Sequence, residues 1–327
     1  MFSALRIVTI VFCLFADFAN ANETSANAGF RIVDIEDPIS RASMRAAVFF
    51  PTEDHEAVTQ IGSLEIPATQ NASVQSGRHP LVLLSHGSSG SMFSHQDTAV
   101  FLAKHGYLVA AIEHPGDNFH DESGLGTDRV LIGRSLQLTV LLDFLLSRAP
   151  FSTAIDNTKI GVAGFSAGGY TALVIVGAKP KFPLLKRYCS QYPQSVLCSG
   201  GGAVSVSSPP LVPKTDPRIR AAFVISPVAA FFDRESLSPI SVPVEIIAAG
   251  RDSVLPNQSN ARWVRDNIPT LAKYTEVSGA DHFVFLSPCS SQMRSISPRL
   301  CIDPPGVDRR TTHDFVNNDM LRFFKFN

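Results

Sequence analysis

The segment Gly164-Phe165-Ser166-Ala167-Gly168-Gly169 sets a serine between glycines two positions to either side. A serine hydroxyl is a weak nucleophile until an adjacent base activates it. Proteins that use such a serine expose it on a tight strand-to-helix turn, where the flanking residues come too close for side chains. The context here suits that turn: residues 159–163 (KIGVA) read as a strand and 167–177 as a small-residue helix. The N-terminus of that helix favours negative charge developing beside it. Ser166 is the candidate nucleophile, set against the plainer reading of a structural Gly/Ser turn.

On a turn of this kind the acid and then the histidine follow the serine along the chain. Residues 248–252 (AAGRD) end a candidate strand with Asp252 just past it, and 278–283 (SGADHF) carry His282 on a glycine-containing loop. We expect His282 to be the general base, with Asp252 holding its tautomer and stabilising the imidazolium. Asp281 and Glu276 compete as the acid, although Asp281 would have to reach back to the ring of its own neighbour. His86 competes as the base, but a histidine between a strand end and a glycine more often braces a loop. Two backbone N–H groups should receive an oxyanion: that of Ala167, and that of Ser88 in 84–90 (LSHGSSG). His114, in 113–118 (EHPGDN), is a candidate substrate contact, set against a solvated loop histidine. Phe231 and Phe232, in 226–232 (SPVAAFF), are candidate walls of an acyl pocket, set against plain core packing, and Trp263 reads as packing.

These residues need a frame that brings distant segments to one edge. Strands are expected at 44–50, ended by Pro51, and at 81–85, 107–112, 159–163, 221–225 and 244–249. Helices are expected at 96–105, 134–148, 167–177, 258–268 and 311–324, and a polar stretch at 52–79. Continuous apolar strands alternating with helices predict an α/β class, with a mostly parallel central sheet covered by helices on both faces. Residues 179–218, rich in Pro, Ser and Gly, read as an insertion within the same domain. It follows the helix after Ser166, which runs away from the catalytic edge, so the insertion is expected on the far side, clear of the site.

Charged residues are 17% of the 327 and the formal net charge is −1. That balance provides no electrostatic case for a nucleic-acid partner or an anionic membrane surface. Arg6, the apolar run 7–15 and Ala19-Asn20-Ala21 have the form of a secretory leader with its cleavage site. The expected organisation is a signal peptide at 1–21 and one domain at 22–327, secreted or periplasmic, with no stable membrane anchor after cleavage. Cys189, Cys198, Cys289 and Cys301 would then meet an oxidising compartment, and short loops favour the pairs Cys189–Cys198 and Cys289–Cys301. Their spacing does not suit a metal site.

The chain resembles the α/β-hydrolase superfamily, and within it the predicted dienelactone hydrolase and platelet-activating-factor acetylhydrolase-like serine esterases. The resemblance rests on LLSHGSSG (83–90), GYLVAAIEHPGDN (106–118), GFSAGGYTA (164–172), AAGRDSVLP (248–256) and GADHFVFLSPC (279–289). It implies an α/β-hydrolase fold and a Ser166/Asp252/His282 triad, with Ser88 and Ala167 as oxyanion donors. Dienelactone hydrolases themselves carry a cysteine nucleophile, and Ser166 departs from that. The implied activity is cleavage of a small-molecule carboxylic ester through an acyl-enzyme, with no metal or organic cofactor. A short acyl group is expected, since residues 226–243 leave little room for a helical lid. A lipase, phospholipid or polyester hydrolase with the same triad is the alternative, and a non-catalytic binder on the same fold is the reading from another class.

Overall fold

A computed structural model describes residues 26–326. The expected leader at 1–21, with Arg6 and the Ala19-Asn20-Ala21 site, lies outside the described residues. In chain order the strands are β1 (Asn27–Glu36), β2 (Ser43–Thr52), β3 (Thr59–Ile61), β4 (Leu64–Ile66), β5 (Thr69–Gln70) and β6 (His79–Ser85). They continue with β7 (Leu108–Ile112), β8 (Ile155–Phe165), β9 (Ala221–Ile225), β10 (Val244–Ala249) and β11 (Leu271–Val277).

Nine strands make one sheet in the order β11-β10-β9-β8-β6-β7-β2-β1-β5, and β3 with β4 forms a separate hairpin. Every neighbouring pair from β11 to β7 is parallel. β2 runs antiparallel to both β7 and β1. Strands such as β7 (LVAAI) and β9 (AAFVI) are buried at every residue, which requires cover on both faces. Leu81 and Leu83 pack toward the helices Gly133–Ser147 and Ala167–Ile175. Val82 and Leu84, pointing the other way, pack toward Gln96–Lys104 and Arg309–Phe323.

Several elements differ from the sequence expectation, among them β1, which precedes the first expected strand and pairs along its whole length with β2. β2 continues through Pro51 to Thr52, where it is paired with β1 but already past its pairing with β7. β11 (LAKYTEV) was not anticipated: it is an edge strand with no buried residue, so no apolar run announces it. The polar stretch at 52–79 contains the β3–β4 hairpin.

The insertion is a larger correction. The helix Ala167–Ile175 does run away from the serine, but the chain reverses at Gly177, which holds φ at 128°. It then returns alongside 229–236, with Lys179 N–H donating to Ser236 O and Lys181 N–H to Phe231 O. The helix Leu184–Gln191 and the segment after it therefore reach the catalytic edge. The Asp128 carboxylate latches the insertion's exit there by accepting from Ser207 N–H, Ser207 Oγ–H and Leu211 N–H. A Cys189–Cys198 disulfide staples this insertion, and Cys289–Cys301 closes a second loop.

Candidate active site

β8 lies between β6 and β9, and Ser166 follows its last residue. The serine holds φ 56° and ψ −116°, a left-handed setting that a non-glycine residue adopts at a cost of order 1–3 kcal/mol. Neighbours keep it there: Ser166 N–H donates to Ile225 O at 2.9 Å, and Ser166 O accepts from Tyr170 N–H and Val228 N–H. The flanking glycines are required by close approach. A Cβ on Gly164 would overlap the Gly168 carbonyl, and one on Gly168 would overlap the Ser85 carbonyl.

The loops after β10 and β11 open at the same edge. His282 Nε2 lies 3.0 Å from Ser166 Oγ, and His282 Nδ1 lies 2.7 Å from Asp252 Oδ2. A carboxylate only accepts, so Nδ1 carries the proton and Nε2 is left to receive that of the serine. Asp252 Oδ1 is itself fixed by Val254 N–H and Leu255 N–H. The other two acids are occupied elsewhere. Asp281 accepts from Ser253 and from the His282 backbone N–H, which ties the two loops together. Glu276 pairs with Arg262 and Tyr274, and the Arg262 guanidinium is the main force holding it down to about 2.

His86 is buried and turned away from the serine. Its Nδ1–H donates to Gly87 O at 2.6 Å, and its Nε2 accepts the His114 backbone N–H at 3.1 Å. Burial, then the nearby Arg134 charge, pushes its pKa down to about 3, so it stays neutral. Ser88 and Ala167 both line the cleft beside Ser166. Neither backbone N–H has a protein acceptor among the described residues.

The expectation for His114 is corrected. Its ring is fully buried beneath the cleft, with Nε2 accepting from Ser85 Oγ–H at 2.9 Å and Nδ1–H donating to Gln137 Oε1 at 2.7 Å. Phe231 does reach the cleft wall, but Phe232 lies behind it, stacked on Tyr170 at 5.2 Å between ring centres. Trp263 donates its Nε1–H to Phe232 O and braces that turn.

The cleft has a volume of about 1540 Å³ and is predominantly apolar. One wall is the β3–β4 hairpin with Ile61 and Leu64, a second is the insertion with Leu185, Leu197 and Val204, and a third is the Cys289–Cys301 loop with Met293. These walls were missed because each comes from a stretch whose composition reads as polar or irregular loop. Their isolated apolar residues were the available signal.

A serine on a strained strand-to-helix turn at the carboxyl edge of this sheet, within reach of a histidine and an acid from later loops, is the arrangement of the α/β-hydrolase fold. The family model for "Platelet-activating factor acetylhydrolase, isoform II" matches residues 52–127, a segment that ends before Ser166. The platelet-activating factor acetylhydrolases of Bos taurus and Cavia porcellus are 25% and 36% identical over 165 and 162 residues. Each match covers 37% of this chain and 37% of the relative, so the chain spans little more than a third of their length. Cutinase 2 of Thermobifida cellulosilytica is 24% identical over 206 residues, covering 62% of this chain and 60% of the cutinase. A solved ferulic acid esterase from Streptomyces cinnamoneus superposes with a TM-score of 0.65 at 18% identity, covering 92% of this chain and 90% of its own. The structural match extends over nearly the whole chain and shows a shared fold, while the sequence matches are to proteins named as acetylhydrolases and a cutinase.

Proposed function

We propose that this chain is a secreted serine esterase that cleaves carboxylic esters through an acyl-enzyme on Ser166. The observation that carries the reading is the hydrogen-bonded line from Ser166 Oγ through His282 to Asp252. His282 Nε2 takes the serine proton as Oγ attacks the ester carbonyl, and the Ser88 and Ala167 amides receive the oxyanion. The imidazolium then protonates the leaving alcohol, and water repeats the cycle on the acyl-enzyme. Two disulfides suit an oxidising compartment and support export.

The acyl group is proposed to be short, about two to six carbons. Tyr170 and Val228, whose N–H groups donate to Ser166 O, line the cleft beside the nucleophile together with Phe231, and each added methylene gains about 0.8 kcal/mol only while it can be buried. The whole cleft, at about 1540 Å³, exceeds the roughly 300–1,000 Å³ of common ligand sites, and its outer part suits an extended apolar alcohol portion. The relatives named acetylhydrolase fit a short acyl group on a larger molecule. A second reading, hydrolysis of long-chain or polymeric esters, draws on the cleft's size and on the relatives named cutinase.

Ser166→Ala should abolish turnover and labelling by a fluorophosphonate, with a loss approaching the roughly 10⁶-fold known for removal of a serine nucleophile. Retained labelling or turnover would remove the assignment, and an unlabelled wild-type protein would favour a non-catalytic binder. A p-nitrophenyl ester series should peak at about C4–C6, and a maximum at about C12 or beyond selects the second reading.

A further inference from the structure

The helix Gly133–Ser147 is apolar on most of its surface, yet its first turn carries Arg134, whose side chain is 1% exposed. A buried guanidinium needs a partner. Here the partner is Asp117, also 1% exposed, in the loop after β7. Arg134 Nη1–H donates to Asp117 Oδ2, and Nη2–H donates to His86 O and, at 3.1 Å, to Ser85 Oγ. Asp117 uses its other oxygen on the loop after β6: Oδ1 accepts Ser88 Oγ–H at 2.7 Å and Ser89 N–H at 2.8 Å. Ser89 sits at φ 57°, a strained setting that this carboxylate helps to hold. Both the Ser88 hydroxyl and the next amide are thus held by Asp117, while the Ser88 N–H has no protein acceptor among the described residues and Ser88 lines the cleft.

The charges make sense as a unit. A lone carboxylate beneath an oxyanion site would oppose the negative charge that forms there. His86 and His114 are held neutral by burial and by Arg134, so Arg134 alone offsets Asp117. The hydrogen bonds also run in one direction, from Arg134 to Ser85, His114, Gln137 and finally Asp37 Oδ1. That ordering fixes the tautomers and anchors the carbonyl side of the loop.

We propose that Asp117, neutralised by Arg134, is a positioning residue that sets the Ser88 amide as the second oxyanion donor. The proposal rests on the serine-esterase reading above. Asp117 touches no substrate and acts only through the 86–90 loop. Its loss should therefore weaken transition-state binding while leaving ground-state binding alone.

The test uses the full mature chain, p-nitrophenyl butyrate as substrate and phenylboronic acid as a tetrahedral mimic, with active sites counted by fluorophosphonate titration. Asp117→Asn presents an amide N–H to Arg134 and should lower kcat by about 10–100-fold, the scale of a misplaced catalytic group. KM should stay within about twofold, and the boronic acid Ki should rise by a factor matching the loss in kcat. Ser88→Ala keeps the backbone N–H and removes only its anchor, so it should show the same pattern at about three- to tenfold. A kcat within twofold of wild type, a loss carried by KM, or an unchanged boronic acid Ki in a folded variant overturns the proposal. If Asp117→Asn does not fold, Ser88→Ala decides alone. Ser166→Ala runs alongside: activity in that variant overturns the esterase reading itself, whereas a dead Ser166→Ala beside a fully active Asp117→Asn overturns only the positioning role.

Discussion

At the residue scale the site depends on which atom of His282 is free. The Asp252 carboxylate accepts from Nδ1–H at 2.7 Å and so leaves Nε2 facing Ser166 Oγ. The carboxylate is held rigid by two backbone N–H groups, so the imidazole has one orientation. Asp252→Asn keeps the volume and can still accept at Oδ1, but its amide favours the other tautomer. We expect kcat to fall by about 10³–10⁴-fold with little change in fold, as tautomer reversal does in a comparable triad. Steady-state kinetics together with far-ultraviolet circular dichroism check this. A variant within tenfold of wild type would move the acid's role to another group.

At the element scale the histidine loop is secured by groups outside the triad. The 3₁₀ turn His282–Phe285 meets the helix Arg309–Phe323 through His313. His313 Nδ1–H donates to Asp97 Oδ2 at 2.5 Å and Nε2–H donates to Val284 O at 2.9 Å, so the ring is an imidazolium. Burial disfavours both charges, but the Asp97 carboxylate outweighs it and raises the His313 pKa, while His313 and Ser287 hold Asp97 down to about 2. Arg309 opposes the charge on His313, and His95 adds to the hold on Asp97. A raised histidine pKa adds stability that is complete below the unfolded value of about 6.5 and lost as pH rises through the folded value. The depressed carboxylate adds stability present above about 3.9 and lost as pH falls toward its folded value. His313→Gln should therefore lower Tm by about 3–6 °C near pH 5 and by progressively less in the alkaline range. Calorimetry across that range checks the sign, and a deficit that grows with pH contradicts the imidazolium assignment.

At the scale of the whole molecule the cleft is an assembly of distant pieces. The β3–β4 hairpin, the insertion and the Cys289–Cys301 loop each contribute one wall. Ser290 Oγ–H donates to Ser63 O at 3.0 Å and joins two of them. Apolar side chains at the cleft edge remain open, with Val196 63% and Ile296 63% exposed. If these walls serve the large part of the substrate, damage to them should discriminate by substrate size. Leu197→Asp combined with Val204→Asp should lower kcat/KM for esters of bulky apolar alcohols about tenfold, roughly 1.4 kcal/mol of lost burial. Turnover of p-nitrophenyl acetate should stay within about twofold, because that ester occupies only the space beside Ser166. Equal losses on both esters would place the insertion's effect in folding.

Much of this molecule was legible in the chain itself, because some constraints are local. The glycines around Ser166 report a backbone clash that any such turn imposes, and the buried strands report their cover by being apolar throughout. The order of Ser166, Asp252 and His282 could be read for the same reason, each standing just past a strand or on a glycine loop. Other features were settled only by the tertiary structure, since they depend on where a chain returns. β11 is half exposed and carries no apolar signature, and it shows as a strand only through its pairing with β10. The insertion lines the cleft because Gly177 reverses the chain and Asp128 catches it, contacts between residues far apart in sequence. His114 looked like a loop residue facing substrate, yet its ring is claimed by Ser85 and Gln137. Arg134 was a visible charge in an apolar helix, but its partner in another loop became apparent only when both were buried together. A sequence records what each residue requires, and tertiary packing decides which distant group supplies it.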